Sequence, residues 1–393
     1  MLSSISKGVV VSFFLPIDTK KLYNKNNLMK KHFFKVAVCI TAMAAAFACS
    51  KSIDNGISAS ESNSSATEEA TCSAQGWASQ NGGTNGGGTS AETVVTTYAA
   101  LKAAIQNTAV KVVKVSGTIT IPAAGRIAFQ NQSGKTIYGA AGAKLVSVDQ
   151  TKDGSGILSI KSVNNLLIRN LIFEGPGAYD TDGWDLMVVD ACKNVWVDHC
   201  DFRDGVDGNF DIKNTSDYVT VSWTKFQYLK APRAGGSGGT DDHRFTNLIG
   251  SSDSATGDRG TLRVTFASCW WAQGCVERMP RVRFGRVHVI NSLFNSTVAS
   301  KCIQAGFEAN ILAENDVFEN AKDAIFLVGG QTALQVKNCT FTNVTGNKTG
   351  TGTAFTPPYT VAPRAAANVK SSVTASTGAG ATISGNVCTS SAI

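Results

Sequence analysis

Short β-forming runs recur along the chain, and in each run an aliphatic residue is followed seven positions later by an aromatic one. Successive copies are 29, 24, 45, 23, 24 and 23 residues apart. A regular period of this length, built from short alternating strands, is typical of a β-solenoid in which each repeat forms one coil. The seven pairs are Leu166/Phe173, Val195/Phe202, Val219/Phe226, Val264/Trp271, Val287/Phe294, Ile311/Phe318 and Leu334/Phe341.

The constant offset distinguishes this pattern from a β-sandwich, whose strands are spaced irregularly. We therefore predict an all-β fold, a right-handed parallel β-helix, in which the recurring side chains point inward. Phe202, Phe226, Phe294 and Phe318 are then expected to be core residues. Ahead of the first β run, the apolar spacing in TTYAALKAAIQ (residues 96–106) predicts a short amphipathic helix that caps the amino-terminal end.

The 45-residue step contains additional chain, KAPRAGGSGGTDDHRFTNLIGSSDSATGDRG (residues 230–260). Long loops on solenoids usually build the binding face, so we predict that this insertion forms a wall of a substrate groove. Its glycines do not lead into the Gly-Lys-Ser/Thr sequence and helix of a nucleotide-binding loop, which makes a nucleotide site improbable.

The amino-terminal part of the chain has the composition of a leader. From Met29, the stretch MKKHFFKVAVCITAMAAAFAC has a basic start, an apolar centre and small residues before a cysteine, as secretory signals do. We interpret residues 29–48 as a lipoprotein-like signal peptide with Cys49 as the lipidated residue, residues 1–28 as a misannotated upstream extension, residues 49–71 as a flexible linker and residues 72–393 as the folded domain. A membrane-spanning anchor is disfavoured because Lys35 interrupts a short apolar run.

This interpretation predicts a protein that is secreted or anchored in the outer membrane, and therefore extracellular or periplasmic. Export permits disulfides among the cysteines beyond the leader, although the sequence does not give their pairing. A zinc site is disfavoured because no Cys-x-x-Cys pair occurs and the four histidines are scattered. The cysteines in question are Cys72, Cys192, Cys200, Cys269, Cys275, Cys302, Cys339 and Cys388.

Most of the formal net charge of +7 comes from the leader. Residues 1–48 contain seven lysines and one aspartate, so the remainder carries 29 basic and 28 acidic residues. A nearly neutral body does not provide the positive field of a nucleic-acid-binding protein. The arginines at 278, 281, 283 and 286 are therefore a local cluster, and on charge alone a solvated strand would also explain them. We expect a monomer.

Three carboxylates and two arginines are the candidate chemistry: Asp185, Asp207, Asp211, Arg278 and Arg283. Hard oxygen ligands bind calcium, and guanidinium groups bind carboxylates in a bidentate manner, so the combination predicts an anionic polymer, best a polyuronate, held between metal and arginine. Asp207 and Asp211 lie four residues apart around a glycine, so a coil corner can aim both at one point. Turn-forming aspartates would give the same pattern, and the residues alone leave both interpretations open.

Three segments resemble the motifs of the pectate lyase family: NVWVDHCDF (194–202), DGNFDIKNTSDYVTVSW (207–223) and RMPRVRFGRVHVIN (278–291). The similarity extends over about residues 72–393. The resemblance implies a secreted parallel β-helix enzyme that cleaves polygalacturonate by β-elimination, using Ca²⁺ and an arginine base, and that releases 4,5-unsaturated oligogalacturonides.

By motif position, the resemblance implies that Asp185, Asp207 and Asp211 bind calcium, that Arg278 is the catalytic base and that Arg283 binds the substrate carboxylate. Guanidinium groups ordinarily stay protonated, so neighbouring positive charge has to disfavour a second cation at position 278. An alkaline rate optimum is the expected consequence.

The sequence departs from the family at one position, where a substrate-binding lysine usually precedes a Leu-Ile-Gly-like run. Phe245 stands at the aligned position and Arg244 precedes it, so we predict that Arg244 replaces the lysine, with Lys230 as a weaker candidate. His199, His288 and Asp198 lie within strand motifs, and structural roles are expected for them.

Three other functions agree less well with these residues. A pectin lyase would act on methyl-esterified substrate, but such enzymes lack the calcium ligands. A polygalacturonase hydrolyses with paired acids, and the only adjacent acidic pair within residues 72–393, Asp241 and Asp242, lies in the insertion without the expected partners. A non-catalytic surface protein that binds polyuronate remains an alternative, which an intact Arg278 disfavours. Endo or exo mode and the accepted degree of esterification stay open.

Overall fold

The computed structural model describes residues 73–383. The chain divides into two units, residues 1–64 and 65–393, and the described residues all belong to the second. The predicted upstream extension, signal peptide, lipidated Cys49 and linker lie outside the described residues, as do Cys72 and Cys388. No helix within residues 73–383 has the length and apolar character needed to cross a membrane.

Three parallel sheets run along the described chain, and each coil between β2 and β25 contributes one strand to each sheet. Strands are numbered in chain order. The ten-stranded sheet contains β1 (Glu92–Val95), β2 (Val112–Val115), β5 (Ser133–Gly139), β8 (Asn164–Arg169), β11 (Lys193–Asp198), β14 (Asp217–Ser222), β17 (Arg263–Ala267), β20 (Arg286–Ile290), β23 (Asn310–Glu314) and β26 (Ala333–Lys337).

The other two sheets are slightly smaller. The eight-stranded sheet contains β4 (Ile127–Gln130), β7 (Leu158–Lys161), β10 (Met187–Asp190), β13 (Phe210–Lys213), β16 (Leu248–Ile249), β19 (Arg281–Val282), β22 (Lys301–Ala305) and β25 (Asp323–Leu327). The nine-stranded sheet contains β3 (Thr118–Ile121), β6 (Lys144–Ser147), β9 (Ile172–Glu174), β12 (Asp201–Arg203), β15 (Lys225–Gln227), β18 (Trp270–Trp271), β21 (Leu293–Phe294), β24 (Val317–Glu319) and β27 (Thr340–Thr342).

The predicted ladders are present in register. Each aliphatic member of the seven pairs aligns with the next in the ten-stranded sheet, and each aromatic member aligns with the next in the nine-stranded sheet. The aromatic rings stack with centroids 4.4–5.6 Å apart, close to the spacing of paired strands. Phe202, Phe226, Phe294 and Phe318 are all buried. The predicted fold class, an all-β parallel β-helix, is confirmed.

The seven-residue offset has a backbone cause. Four residues after each aliphatic ladder position, the chain turns from the ten-stranded to the nine-stranded sheet through one residue with φ between 46° and 56°. This left-handed conformation is the one that asparagine tolerates best among residues other than glycine, and four of the seven corners are asparagines. The corner residues are Asn170, His199, Trp223, Ser268, Asn291, Asn315 and Asn338.

Within residues 73–383 the sheets are accompanied by two α-helices, α1 (Tyr98–Gln106) and α2 (Ala366–Val373), and by two 3-10 helices (Gly76–Ser79 and Thr256–Asp258). Helix α1 occupies the segment for which an amphipathic helix was predicted. The Thr97 hydroxyl accepts a hydrogen bond from the Ala100 N–H at its start, and Leu101 and Ile105 are buried in the main core.

The cysteines within residues 73–383 are all free thiols, so none of these six takes part in a disulfide. Five are buried in the β-helix, where they pack as small apolar side chains. Burial raises the pKa of Cys192 to about 11, which leaves the thiol protonated near neutral pH.

The insertion in the 45-residue step does not add a coil to the stack. Phe226 and Trp271 are direct neighbours in the aromatic ladder, so the extra residues belong to a single coil. They form two loops, residues 228–247 and 250–262, on either side of the two-residue strand β16. The first loop ends at β16 and the second begins there, so the two longest loops of this coil both adjoin the eight-stranded sheet.

Candidate active site

The residues predicted to carry chemistry lie along one sheet. Asp185 precedes β10 by two residues, Asp207 precedes β13 by three and Asp211 lies within β13. Arg278 precedes β19 by three residues and Arg283 follows it directly. Because β10, β13, β16 and β19 are consecutive neighbours in the eight-stranded sheet, these side chains come from three coils within a four-strand stretch of its surface.

The three carboxylates repel one another in a partly water-excluded setting. Asp185 and Asp211 are buried, and Asp207 is half-buried. Burial, with added repulsion from Asp211 and Asp207, raises the pKa of Asp185 well above its usual range. Burial likewise raises the pKa of Asp211 to about 6, even though its carboxylate accepts a hydrogen bond of 2.8 Å from the Leu248 N–H. Repulsion of this kind is relieved by a divalent cation.

Gly208 leaves the space that the Asp185 carboxylate occupies. A Cβ atom at position 208 would lie 2.5 Å from Asp185 Oδ1, which is closer than such atoms approach. The Asp-Gly-Asn-Phe-Asp sequence therefore places two acidic residues around the one residue type that admits the third carboxylate between them. The role of the three carboxylates as ligands stays a prediction.

The structure adds two residues that the sequence did not indicate, Asp180 and His243. His243 Nε2 lies 3.0 Å from Asp207 Oδ1, and His243 Nδ1 lies 3.3 Å from Asp180 Oδ1. Within residues 73–383, Asp180, Asp207 and His243 form the group of histidine and acidic side chains whose ligand atoms all lie within 4.8 Å of one another. The ligand atoms of Asp185, Asp207 and Asp211 are not that close together. His243 belongs to the insertion, outside the repeat, and so had no periodic signal.

Arg278 projects from a strained backbone position next to these carboxylates. Its φ is 57°, and its carbonyl oxygen accepts a hydrogen bond of 2.7 Å from the Asn247 N–H. The guanidinium carbon lies 4.7 Å from the centre of the Phe245 ring. Among the described residues, no carboxylate forms an ion pair with Arg278 within 4.0 Å, so its guanidinium is available to a ligand.

Arg283 and Arg281 extend the cationic cluster. Arg283 Nε donates to Asp253 Oδ1 at 2.5 Å and one NH group donates to the Gly250 carbonyl oxygen at 3.1 Å, so the second insertion loop orients this guanidinium. Burial, together with the nearby charges of Arg283 and Arg278, lowers the pKa of Arg281. The two neighbouring guanidinium groups therefore disfavour the charged form of Arg281.

The predicted replacement for the family's lysine has another partner in the structure. Arg244 donates to both oxygens of Asp242, at 2.6 and 2.5 Å, and its role toward a substrate stays a prediction. Lys230 donates to the Gly175 carbonyl oxygen at 2.6 Å. The ring of Phe245, at the aligned position, instead contacts both His243 and Arg278, and its centroid lies 4.3 Å from that of the His243 ring.

His199 and Asp198 lie on the ten-stranded side, away from the candidate site. Asp198 is buried, with its carboxylate 2.8 Å from His199 Nδ1 and 2.9 Å from Arg169 Nε. These contacts agree with the structural roles expected for both residues. His288, on β20, is also buried and lies 3.3 Å from Glu314 Oε2.

His288 makes folding pH-dependent. Burial lowers its pKa to about 4, whereas an unfolded chain binds the proton near pH 6.5. Between these values the unfolded state binds more protons, so this contribution to stability is complete above pH 6.5 and is lost as the pH falls toward 4, by about 3 kcal/mol. We expect His288→Gln to reduce the difference in urea unfolding free energy between pH 7 and pH 4.5. An unchanged difference would contradict this assignment.

Comparisons with known proteins find relatives of one kind. The family model described as "Pectate lyase" matches residues 39–382. A probable pectate lyase B of Aspergillus terreus is 35% identical over 260 residues, which cover 64% of this chain and 70% of that protein. A pectate trisaccharide-lyase of Bacillus licheniformis is 33% identical over 324 residues, which cover 78% of this chain and 86% of that protein.

Solved structures share the β-helix. A pectate lyase bound to a hexasaccharide superposes with a TM-score of 0.63 at 22% identity, covering 80% of this chain and 98% of that one. A Bacillus subtilis pectate lyase variant gives a TM-score of 0.62 at 23% identity, with 78% and 96% covered. At this level of identity the two superpositions establish the fold.

Proposed function

Because the chain belongs to the pectate lyase family, we propose that it cleaves polygalacturonate by Ca²⁺-dependent β-elimination and releases 4,5-unsaturated oligogalacturonides. It is a polysaccharide lyase, as its relatives are. One observation supports the proposal most: mutually repelling buried carboxylates share a sheet surface with an arginine that no described carboxylate neutralises.

We assign the calcium site to Asp185, Asp207 and Asp211. Their oxygens are the hard donors that calcium prefers. Burial, with a smaller contribution from repulsion among the carboxylates, raises the pKa values of Asp185 and Asp211, and a bound cation would favour their charged forms. When bound, Ca²⁺ would withdraw electron density from a galacturonate carboxylate and so acidify the adjacent C5–H. The imidazole of His243 is a nitrogen donor, which calcium disfavours. We therefore assign to His243 and Asp180 the orientation of Asp207.

Arg278 is the proposed base. In its neutral form it takes the proton from C5 of a galacturonate, the electron pair of that bond forms the C4–C5 double bond, and the C4–O bond breaks with its electrons on the leaving oxygen. That oxygen then takes up a proton. The Asn247 hydrogen bond holds the Arg278 backbone and the Phe245 ring contacts the guanidinium group, and both contacts favour the pre-organisation that proton transfer requires.

Arg283 is proposed to bind the carboxylate on which negative charge develops during proton removal. Its contact with Asp253 already positions the planar guanidinium, and Asp253 is exposed, so a substrate carboxylate can replace it. Arg244 remains a candidate for a second carboxylate contact once Asp242 is displaced in the same manner. An alkaline rate optimum, the expected consequence of an arginine base, is part of the proposal.

The proposal also includes the route to the substrate. A signal peptide at residues 29–48, a lipidated Cys49 and a linker to residue 71 would place the folded domain, residues 72–393, outside the cytoplasm as a monomer on or released from the outer membrane. Labelling with a radioactive fatty acid, with Cys49→Ser as the control, tests the anchor separately from the activity.

The first test of the reaction is direct. The purified protein is incubated with polygalacturonate, and the ultraviolet absorbance of the unsaturated uronide is followed in excess Ca²⁺ and in chelator. We expect absorbance in calcium and a loss of at least about 100-fold in chelator. Activity only on methyl-esterified substrate and without calcium would indicate a pectin lyase, whereas binding of polygalacturonate without any absorbance would indicate a surface binding protein.

A further inference from the structure

An exposed tryptophan and an arginine stack on each other beside the proposed calcium ligands. The guanidinium carbon of Arg126 lies 3.4 Å from the centre of the Trp184 ring, and Trp184 directly precedes Asp185 in the chain. With 38% of its surface accessible, Trp184 is the most exposed tryptophan among the described residues. The exposed part of this indole is a rigid apolar surface against which a ligand can pack.

Three consecutive coils build this pair. Arg126 directly precedes β4, Gly156 precedes β7 and Trp184 precedes β10, all at one edge of the eight-stranded sheet. Arg126 reaches past the middle coil because Gly156, at φ 84°, has no side chain: a Cβ there would lie 2.8 Å from Trp184 Cβ and 3.0 Å from Arg126 Cδ. The Ser155 hydroxyl accepts a hydrogen bond of 2.8 Å from the Trp184 N–H, which fixes the backbone beneath the ring.

Arg126 forms no ion pair with a carboxylate of the described residues. It is partly buried, and within residues 73–383 no carboxylate lies within 4.0 Å of its nitrogens. Burial lowers its pKa, and attraction to Asp185 only partly offsets that effect. Once a cation binds the aspartates, the attraction of Arg126 to Asp185 weakens further. A guanidinium held flat on an indole then has its in-plane N–H donors directed outward, where they can meet a carboxylate in a bidentate manner.

We propose that Arg126 and Trp184 form a uronate-binding subsite, in which the indole packs against the C–H face of a sugar ring and the guanidinium binds its carboxylate. This subsite rests on the proposed function, because it names a further contact for the same polymer. Trp184 precedes β10 and Arg278 precedes β19, three strand spacings away, so the two positions are about 14 Å apart along the sheet. The sugar bound here is therefore remote from the bond that is cleaved, and the subsite acts on affinity for longer chains.

The test measures binding as a function of chain length. Saturated oligogalacturonates of two to eight units are titrated calorimetrically, with Ca²⁺, into the Arg278→Ala variant to prevent turnover, and then into the same protein carrying Arg126→Met or Trp184→Leu. We expect the long oligomers to bind about tenfold more weakly, with a loss that shrinks as the oligomer shortens. In proteins with Arg278 intact, Arg126→Met should raise KM for polygalacturonate by a similar factor.

Lys225→Met serves as the matched control, because it removes a cation that lies 4.2 Å above the Trp270 ring on the nine-stranded sheet. It should leave the titrations unchanged. Equal losses at every oligomer length, or no loss at all, would overturn the subsite. If the intact protein binds oligogalacturonate but yields no unsaturated product, the proposed reaction fails, while an Arg126-dependent affinity for long oligomers would still establish the subsite.

Discussion

Replacement of Arg278 by lysine is expected to lower kcat for polygalacturonate cleavage by about 1,000-fold, because general base catalysis typically contributes factors of 100 to 10,000. Lysine keeps a positive charge in the same place, so a role limited to electrostatic attraction would survive the change. It loses the planar group that Phe245 stacks against and the reach that places a nitrogen at C5. KM is expected to change by only a few-fold, since calcium and Arg283 retain the substrate.

The matched control is Arg286→Lys, in the same arginine-rich segment but exposed on β20 of the ten-stranded sheet. Steady-state kinetics across pH 6 to 11 should show an unaltered profile for this control. An Arg278→Lys variant that keeps more than a tenth of the original kcat would exclude Arg278 as the base and direct attention to Arg281 or Lys213, which lie on the same surface.

Phe245 contacts the proposed base, Arg278, at the position where the family has a charged residue. Where the family has a lysine, this chain presents an aromatic ring to the Arg278 guanidinium, and cation–π attraction stabilises a charged group by about 0.5–2 kcal/mol. The ring therefore orients Arg278 but supplies no charge to the substrate carboxylate. More of that charge has to come from calcium and from Arg283, which makes the metal site the second element on which the proposed reaction depends.

Much of the fold followed from the sequence because a solenoid repeats its local physics in every coil. The aliphatic residue, the left-handed corner four positions later and the stacked aromatic three positions beyond it recur with each coil, so the ladder Phe202–Phe226–Trp271 could be aligned even across the 45-residue step. The placement of Asp185, Asp207 and Asp211 at one sheet edge followed from the same regularity.

The residues that the sequence did not reveal lie where this regularity ends. His243 reaches Asp207 from an insertion whose path no period determines, and Asp180 is held there because its carboxylate accepts the Thr240 N–H of that same loop. The stack of Arg126 on Trp184 joins residues 58 positions apart and depends on an absent side chain at Gly156. Contacts of these kinds depend on loop geometry, and hydrophobic periodicity contains no information about that geometry.

Calcium binding and folding stability are expected to respond in opposite directions when Asp211 is replaced by asparagine. Asparagine keeps an oxygen to accept the Leu248 N–H but removes a charge from the proposed metal site. We expect the calcium concentration for half-maximal activity to rise at least about 100-fold, and calcium to stabilise the variant against heat much less than the parent. Asp153→Asn, an exposed carboxylate in a loop at the same edge, is the control that should leave both measurements unchanged.

Without calcium, Asp211→Asn is expected to raise the folding stability. The pKa of Asp211 is raised to about 6 in the folded protein from about 3.8, so the folded state binds more protons than the unfolded state between these values and loses stability as the pH rises through them. At pH 7.5 in chelator, Asp211→Asn removes that penalty, and its Tm should lie above that of the parent. A lower Tm in chelator would show that the carboxylates are held by contacts within the protein rather than poised for a cation. A higher Tm combined with lost calcium dependence is the signature of a site whose folded geometry is maintained, at a cost in stability, for the metal.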